Sequence, residues 1–385
     1  MTTTFADLGV SDDLCDALSS RGITEPFAIQ TIAIPDALAG RDVCGKAKTG
    51  SGKTLAFGLP VIENIGRAEP KRPLALALVP TRELAVQVSD ELAPLAKSRD
   101  VRVAPVYGGA NIERQITKLE KGVDFVVATP GRMIDLVERK AVDLTELTHV
   151  IVDEADRMAD MGFLPQVEWL LRQVEGEHQT LLFSATLDGV VDSLVRRYQT
   201  DPVFHEVESP QITVDQMTHR FLQVHQMDKV KVAAAIAGTV DRTIMFTATK
   251  HMADRLAKNL KELDVRAAAI HGDLRQNHRE KALNDFADDK LQVLVATDVA
   301  ARGIHVDDVE VVIHFDPPAE HKTYLHRSGR TARAGGKGLV VTLVLWNEEL
   351  EVRRMQRRVG LDLPIVEMFS NDDRLNDLTA WDPTA

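Results

Sequence analysis

From about residue 40 the chain alternates short apolar, β-rich runs with amphipathic helical stretches, and nothing else in it constrains the fold as much. "LALALVP", "VRVAPVY", "DFVVATP", "HVIVDEAD" and "TLLFSAT" each end in a polar or glycine turn, and most lead into a helix. Consecutive parallel strands need a long crossover, usually a helix. The rhythm therefore predicts a parallel sheet covered by helices on both faces. After the polar stretch "ESPQIT" at 208–213 it restarts with "THRFLQV", "TIMFTAT", "VRAAAIHG", "LQVLVATD" and "VEVVIHF".

The halves also match in detail. "VPTREL", "YGGANIERQ" and "VVATPGR" follow one another in the first; "FTATKH", "HGDLRQNHR" and "LVATDVAARG" follow in the same order in the second. This predicts a diverged duplication: an α/β chain of two tandem doubly wound parallel-sheet domains, residues 1–207 and 214–366, joined by a linker at 208–213 and facing a cleft. Ligands of such sheets bind at the carboxyl ends of the strands, where these motifs fall. Residues 367–385 hold five acids and one arginine and are expected to form a short, loose acidic tail.

A chain of 385 residues is too long for one core and suits two domains. The longest apolar run, "LVVTLVLW" at 339–346, is far short of a membrane span of ~18 residues and reads as a buried strand. "MTTTFADLGVSDD" lacks the basic-then-apolar pattern of a signal peptide. Cys15 and Cys44 supply neither a disulfide framework nor a metal-ligand cluster, so a reducing cytoplasm is expected. The formal net charge of −12 argues against a broad basic surface. Against that background "HRSGRTAR" at 326–333 gathers three arginines and a histidine, which calls for an anionic partner held locally.

"AKTGSGKT" at 47–54 follows the short strand "DVCGK" and precedes the helix "TLAFGLPVIENI". Ala47 stands where the usual P-loop pattern has glycine, but the mechanical parts are present. Thr49, Gly50, Ser51 and Gly52 can curl backbone N–H groups around a phosphate at a helix N-terminus. Lys53 can reach the β- and γ-phosphates, and the Thr54 hydroxyl can hold Mg²⁺. About a hundred residues on, "HVIVDEAD" is a buried strand ending in two carboxylates. Asp153 is placed to hold Mg²⁺ and Glu154 to orient or deprotonate an attacking water. The first half is expected to bind ATP.

In this order and spacing, "AKTGSGKT", "PTREL", "TPGR", "DEAD", "SAT", "ARGI" and "HRSGRTAR" resemble the motifs of the DEAD-box family of ATP-dependent RNA helicases, over roughly residues 5 to 360. The chain looks like a bacterial-type minimal core without a basic tail. The resemblance implies two RecA-like domains, ATP and Mg²⁺ as cofactors, and RNA-stimulated ATP hydrolysis coupled to local unwinding of short RNA duplexes or RNP remodelling. It implies an adenine-reading element in Phe5 and in Gln30 of "GITEPFAIQ". Arg330 and Arg333 become arginine fingers that meet the γ-phosphate, with Gly329 keeping their turn tight. Ser184, Thr186 and His326 become a network coupling hydrolysis to domain closure.

Thr81, Arg82, Gly108, Gly109, Thr129 and Arg132 are implied to hold the sugar-phosphate backbone of one RNA strand without reading bases. In the second half Gly272, Gln276, Arg279, Thr297 and Asp298 correspond. The implied partners are single-stranded or short duplex RNA and RNP, ribosome-assembly or RNA-degradation machinery, with the chain a cytoplasmic monomer.

Three positions depart from the family pattern: Lys48 at the lip of the P-loop, the missing basic tail, and His305 where an aspartate usually reaches the ATP ribose. With Gly303, His305 either tunes ATP affinity or packs beside the strand "VEVVIHF". Two other activities fit parts of the pattern. One is an ATP-gated RNA clamp with little turnover, against which the intact set Lys53, Asp153, Glu154, Arg330 and Arg333 argues. The other is a DNA translocase, against which "DEAD" and the glutamine element argue.

Overall fold

The computed structural model describes residues 3–47, 50–187, 189–207, 217–274, 276–301, 309–331 and 338–383. The chain divides into two compact units, Met1–Ser209 and Pro210–Ala385.

In the first unit the strands are β1 (Val43–Lys46), β2 (Ala75–Leu78), β3 (Val103–Val106), β4 (Phe125–Ala128), β5 (His149–Asp153), β6 (Gln179–Ser184) and β7 (Val203–Glu206). The helices are α1 (Asp12–Ser19), α2 (Ala28–Leu38), α3 (Lys53–Asn64), α4 (Arg82–Ala96), α5 (Ile112–Glu120), α6 (Pro130–Glu138), α7 (Ala155–Asp160), α8 (Leu164–Leu171) and α9 (Val190–Tyr198). Among the described residues the strands form one parallel sheet in the order β3-β4-β2-β5-β6-β1-β7.

Side chains alternate across a strand, so each strand feeds two cores. Ala75 and Ala77, Phe125 and Val127, and Leu181 and Phe183 pack with α2, α3 and α4 on one face. Leu76 and Leu78, Val126 and Ala128, and Val150 and Val152 pack with α6, α8 and α9 on the other. Burial on both faces explains the unbroken apolar runs that mark these strands in the sequence.

The second unit contains β8 (Met217–Gln223), α10 (Lys229–Ala237), β9 (Thr243–Phe246), α11 (Lys250–Lys261), β10 (Ala267–Ile270), α12 (Gln276–Ala287), β11 (Val293–Ala296) and α13 (Asp298–Ala301). It continues with β12 (Val311–His314), α14 (His321–Ser328), β13 (Gly338–Val344), α15 (Glu349–Val359) and β14 (Ile365–Glu367). The sheet order is β10-β11-β9-β12-β13-β8-β14. Every strand of the first unit has its counterpart seven strands later, at the same place in the sheet. The repeat read from the motifs is thus a repeat of topology.

Two sequence expectations differ from the structure. The segment after residue 366 is not loose. Met368 is fully buried, Leu375 and Leu378 are buried with it against α10 and the β8 layer, and a 3-10 turn spans Asp373–Asn376. Arg220 of β8 donates to Leu378 O at 2.8 Å and lies 5.7 Å from the Trp381 ring centroid. Counting acids hid three apolar side chains at intervals that suit one face. "LVVTLVLW" is buried only as far as Val344, and Trp346 is 80% exposed.

Candidate active site

β1 delivers the chain to a loop that ends at Gly52, the N-cap of α3, whose first residue is Lys53. Gly50 and Gly52 have φ of 83° and 85°, left-handed values that favour glycine. At Gly52 a β-carbon would also overlap the Gln30 amide and the Phe27 ring. Gln30 is 2% exposed and joins two segments: its Oε1 accepts from Phe27 N and its Nε2 donates to Gly52 O, each at 2.8 Å. The amide therefore fixes the start of α2 to the end of the loop. Phe5 lies in the core at 3% exposure, whereas the Phe27 ring beside Gly52 is 61% exposed.

Lys53 Nζ lies 3.8 Å from Asp153 Oδ1 at the end of β5, and the two side chains are 6% and 4% exposed. Asp153 Oδ1 accepts from Glu154 N at 2.9 Å, but no hydrogen bond satisfies Lys53 Nζ. Burial holds the Asp153 carboxyl above its ordinary range, and the Lys53 charge pulls it back only in part. Glu154 is buried in a left-handed conformation, φ 54° and ψ 48°, a strained geometry for a residue with a β-carbon. Its Oε2 pairs with Arg157 Nη1 at 2.6 Å.

Around this pair, the fully buried Ser184 at the end of β6 accepts from Asp156 N through Oγ at 3.1 Å and from Ala47 N through its carbonyl at 2.9 Å. It thereby ties the "SAT" turn to both the phosphate loop and the "DEAD" turn. Burial pushes the Glu91 carboxyl of α4 up, while a hydrogen bond from Thr54 and the charge of Arg21 pull it down. Thr186 is exposed and Ser51 half-buried.

Beside this end of the sheet, β2, β3 and β4 bring their carboxyl ends together. Thr81 caps α4, its Oγ1 accepting from Leu84 N at 3.2 Å. Arg82 lies over Gly109, where φ is 86° and a β-carbon would overlap the guanidinium. Arg132 donates through Nη1 and Nη2 to Ala110 O at 3.3 Å. Gly108 and Thr129, the N-cap of α6, complete the group.

The second unit repeats this arrangement. Thr249 caps α11 by accepting from Met252 N at 3.2 Å, as Thr81 caps α4. Lys250, in the place of Arg82, lies beside Gly272 and pairs with Asp273 at 2.6 Å. Thr297 and Arg279 are buried close to β11 and on α12. Asp298 is engaged: its two carboxylate oxygens accept from Arg327 Nε and Nη2 at 2.6 and 2.8 Å. Arg327, 4% exposed, also donates to Asp316 O and lies 5.1 Å from the Phe246 ring centroid.

Beneath Arg327 a wholly buried group braces α14. His219 Nδ1 meets Tyr324 OH at 2.7 Å, His314 Nε2 meets Ser328 Oγ at 3.3 Å, and the His314 and Tyr324 rings stack 4.7 Å apart. Gly329 follows with φ of −66°; a β-carbon there would sit 3.2 Å from Leu325 O, so compactness favours glycine. Arg330 is half-buried and His326 exposed. Lys48, Thr49, Gly303, His305, Arg333 and the linker at 208–213 lie outside the described residues, as does the side chain of Gln276.

A family model described as DEAD/DEAH box helicase matches residues 27–194, and one described as helicase conserved C-terminal domain matches residues 226–335. The DEAD-box ATP-dependent RNA helicase CshA of Bacillus subtilis (strain 168) is 40% identical over 359 residues, 93% of this chain and 72% of that protein. The chain belongs to the DEAD-box ATP-dependent RNA helicase family. The ATP-dependent RNA helicase CshA of Limosilactobacillus reuteri is 40% identical over 393 residues, 99% of this chain and 79% of that protein. S. cerevisiae Dbp5 bound to RNA and ADP BeF3 matches with a TM-score of 0.81 at 28% identity, over 97% of this chain and 98% of that one. A DEAD box protein from Methanococcus jannaschii matches with a TM-score of 0.52 at 35% identity, over 95% of this chain and 99% of that one.

Within this DEAD-box chain the sequence reading missed four residues at the sites. Thr249 and Lys250 were legible, since "FTATKH" already lined up with "VPTREL". Phe27 sits inside the quoted glutamine element, but nothing in that string tells an exposed ring from a buried one. Arg157 has no sequence signal beyond its spacing of three from Glu154.

Proposed function

We propose that this DEAD-box chain hydrolyses ATP to ADP and phosphate in an RNA-stimulated reaction and uses the cycle to unwind short RNA duplexes locally. One observation carries the reading: a lysine ammonium, buried and without a hydrogen bond, at the first residue of a helix behind a glycine loop, opposite a buried carboxylate. A buried cation in that state is costly, and a triphosphate supplies the missing acceptors.

In this reading the loop N–H groups and Lys53 bind the β- and γ-phosphates. Glu154, held in its strained turn and paired with Arg157, takes the proton of the attacking water. Arg330 and Arg333 stabilise charge on the transferred phosphoryl group, a contribution of about 10³–10⁵ in rate for such fingers. A single carboxylate and a hydroxyl beside the phosphate loop suit Mg²⁺, which is held by few protein ligands and keeps water and phosphate as the rest. Asp153 and the Thr54 hydroxyl would hold that ion, which would neutralise phosphate charge. Gln30 selects adenine.

RNA binding falls to the strand-end hydroxyls, glycine turns and cations of both units, with Thr249 and Lys250 added by topological equivalence. Asp298, bound by Arg327, serves RNA only indirectly by fixing α14. The same reading takes the chain as a cytoplasmic monomer.

The test is steady-state ATPase with saturating RNA, alongside equilibrium binding. Glu154→Gln is expected to keep ATP and RNA binding while losing turnover, and Arg330→Ala to cut the rate far more than ATP affinity. Wild-type turnover in Glu154→Gln would overturn the assignment of the base. An RNA-independent rate in the wild type would overturn the coupling.

A further inference from the structure

The second unit has no glycine loop at the place where the first unit has one. β8 occupies the sheet position of β1, and the following Val224–Asp228 loop leads to Lys229, the first residue of α10, as the phosphate loop leads to Lys53. Even the ion pair is repeated: Lys229 Nζ lies 3.4 Å from Asp316 Oδ1, just beyond β12, the counterpart of β5. Here, however, the helix N-cap is Asp228, whose carboxylate accepts from Ser370 N and Oγ at 2.7 and 2.8 Å. An acid fixed at the helix N-terminus repels the anion that such a place would otherwise attract.

What this end carries instead is apolar. Met227 at 84% and Trp346 at 80% are the two most exposed large apolar side chains among the described residues. The strands that lead to them are neighbours in the sheet. Gln223, Val344 and Glu367 are in register across β8, β13 and β14, and the chain leaving these strands holds Met227, Trp346 and Phe369 respectively. Adjacent strands lie roughly 5 Å apart, so the three strands end within about 10 Å of one another across the sheet, two to four residues before these side chains. Leu350, 60% exposed on the first turn of α15, and Phe369, 48% exposed, extend the patch.

Each of the three apolar residues stands within two positions of an acid: Asp228 beside Met227, Glu348 beside Trp346, Glu367 beside Phe369. None of these acids has an ion-pair partner among the described residues. The nearby Glu349, Glu351 and Asp372 are each paired with an arginine and add no net charge. An apolar row with an unneutralised acidic border disfavours RNA, whose phosphates it repels. It also disfavours a second copy of a chain of charge −12, which would set acid against acid. It favours a segment that offers apolar anchors flanked by lysine or arginine.

We propose that the strand ends bearing Met227, Trp346 and Phe369 are a docking surface for a basic, apolar-anchored peptide segment of a partner protein. The place that holds phosphate in the first unit is converted, in the second, to protein recognition. Within the second unit the surface follows β13, β8 and β14, whereas Thr249, Gly272 and Thr297 follow β9, β10 and β11 on the other side of β12.

The test uses the full chain and two synthetic 18-residue peptides, one amphipathic and built of leucine and lysine, the other with serine for every leucine. Binding is read by titration calorimetry at physiological salt. The leucine peptide should bind the wild type and lose at least tenfold in affinity to Met227→Ser/Trp346→Ser, and as much to Glu348→Lys/Glu367→Lys. Phe204→Ser, at an apolar site in the first unit that is 60% exposed, should bind unchanged. Basal ATPase should be equal in all variants. Equal affinity for the wild type and the Met227/Trp346 variant would overturn the proposal, as would equally tight binding of the serine peptide. Sedimentation showing a wild-type dimer that Trp346→Ser dissolves would assign the patch to self-association instead. A loss of RNA affinity in Trp346→Ser would assign it to nucleic acid.

Discussion

Lys53 Nζ stands 3.8 Å from Asp153 Oδ1 with both side chains almost wholly buried, too far for a hydrogen bond and too close for either charge to ignore the other. A buried pair at that distance recovers only part of the cost of removing two charges from water. The remainder is a liability in the nucleotide-free chain and a source of affinity once phosphate enters.

Removing each partner should therefore have unequal effects. Lys53→Met leaves a carboxyl already raised above its ordinary value by burial, which can take up a proton at small cost. Asp153→Asn leaves an ammonium with nothing opposite. In urea unfolding without nucleotide, Asp153→Asn is expected to be the more destabilising, by about 3 kcal/mol. Both should lose turnover, and Lys53→Met should also lose the stabilisation expected of the wild type with ATP at a hundredfold excess over Kd, about 2.7 kcal/mol. An undiminished ATP shift in Lys53→Met would contradict this.

Gln30 bridges Phe27 N and Gly52 O, so its removal should loosen the loop as well as blunt nucleotide choice. Gln30→Ala is expected to raise the KM for ATP and flatten the preference for ATP over GTP. Gly52→Ala meets both a left-handed φ and the overlap with Gln30 and Phe27, and should abolish nucleotide binding. Phe27→Ala separates base contact from loop support, because the bridge to its backbone N survives. A changed ATP:GTP ratio with an unchanged melting temperature would place the ring at the base.

The strand-helix rhythm, the repeat and the order of the motifs were legible because each rests on local pattern: buried strands read as apolar runs, and turns read as glycine and threonine. What was not legible depends on distance. Asp298 looked like a ligand-facing residue at a strand end, but a bidentate bond to Arg327, twenty-nine residues later, engages it. Phe5 is a core residue, and the exposed ring is Phe27, a difference decided by packing. The tail's acids were visible, whereas the docking of Met368, Leu375 and Leu378 depends on a face made by other elements.

That tail gives a direct prediction. A chain ending at residue 366 loses Met368, Leu375, Leu378 and the cover that Trp381 places over Arg220. Burying three such side chains is worth about 5 kcal/mol in total. The unfolding transition of the second unit should shift by several kcal/mol while that of the first stays in place. An unshifted transition would mean the tail contributes nothing.

Arg327 holds Asp298, the Asp316 carbonyl and the Phe246 ring at once, a planar fork that a lysine cannot imitate. Arg327→Lys should destabilise the second unit by about 3 kcal/mol. It should also lower kcat more than it raises KM, because α14 leads directly into Arg330. Asp298→Asn should show the same split with a smaller loss. A pure KM effect in both would detach this pair from the positioning of Arg330.

His149 sets a pH dependence whose sign follows from burial. At the start of β5 its imidazole is 8% exposed, and desolvation lowers its pKa from 6.5 to about 4. The folded state thus binds fewer protons than the unfolded one between those values, so stability rises with pH across the window and is lost as pH falls through it. The full effect is about 3 kcal/mol at neutral pH. His314 in the second unit is buried completely and lowered in the same direction by burial and the Arg327 charge, so both units should weaken in mild acid. His149→Gln removes the titrating group and keeps a polar side chain beside Thr148. Urea unfolding at pH 7.5 and 5.0 should show a smaller acid loss in this variant than in the wild type, confined to the first unit. An identical loss in the two proteins would show that His149 is charged in the folded chain at pH 5.0.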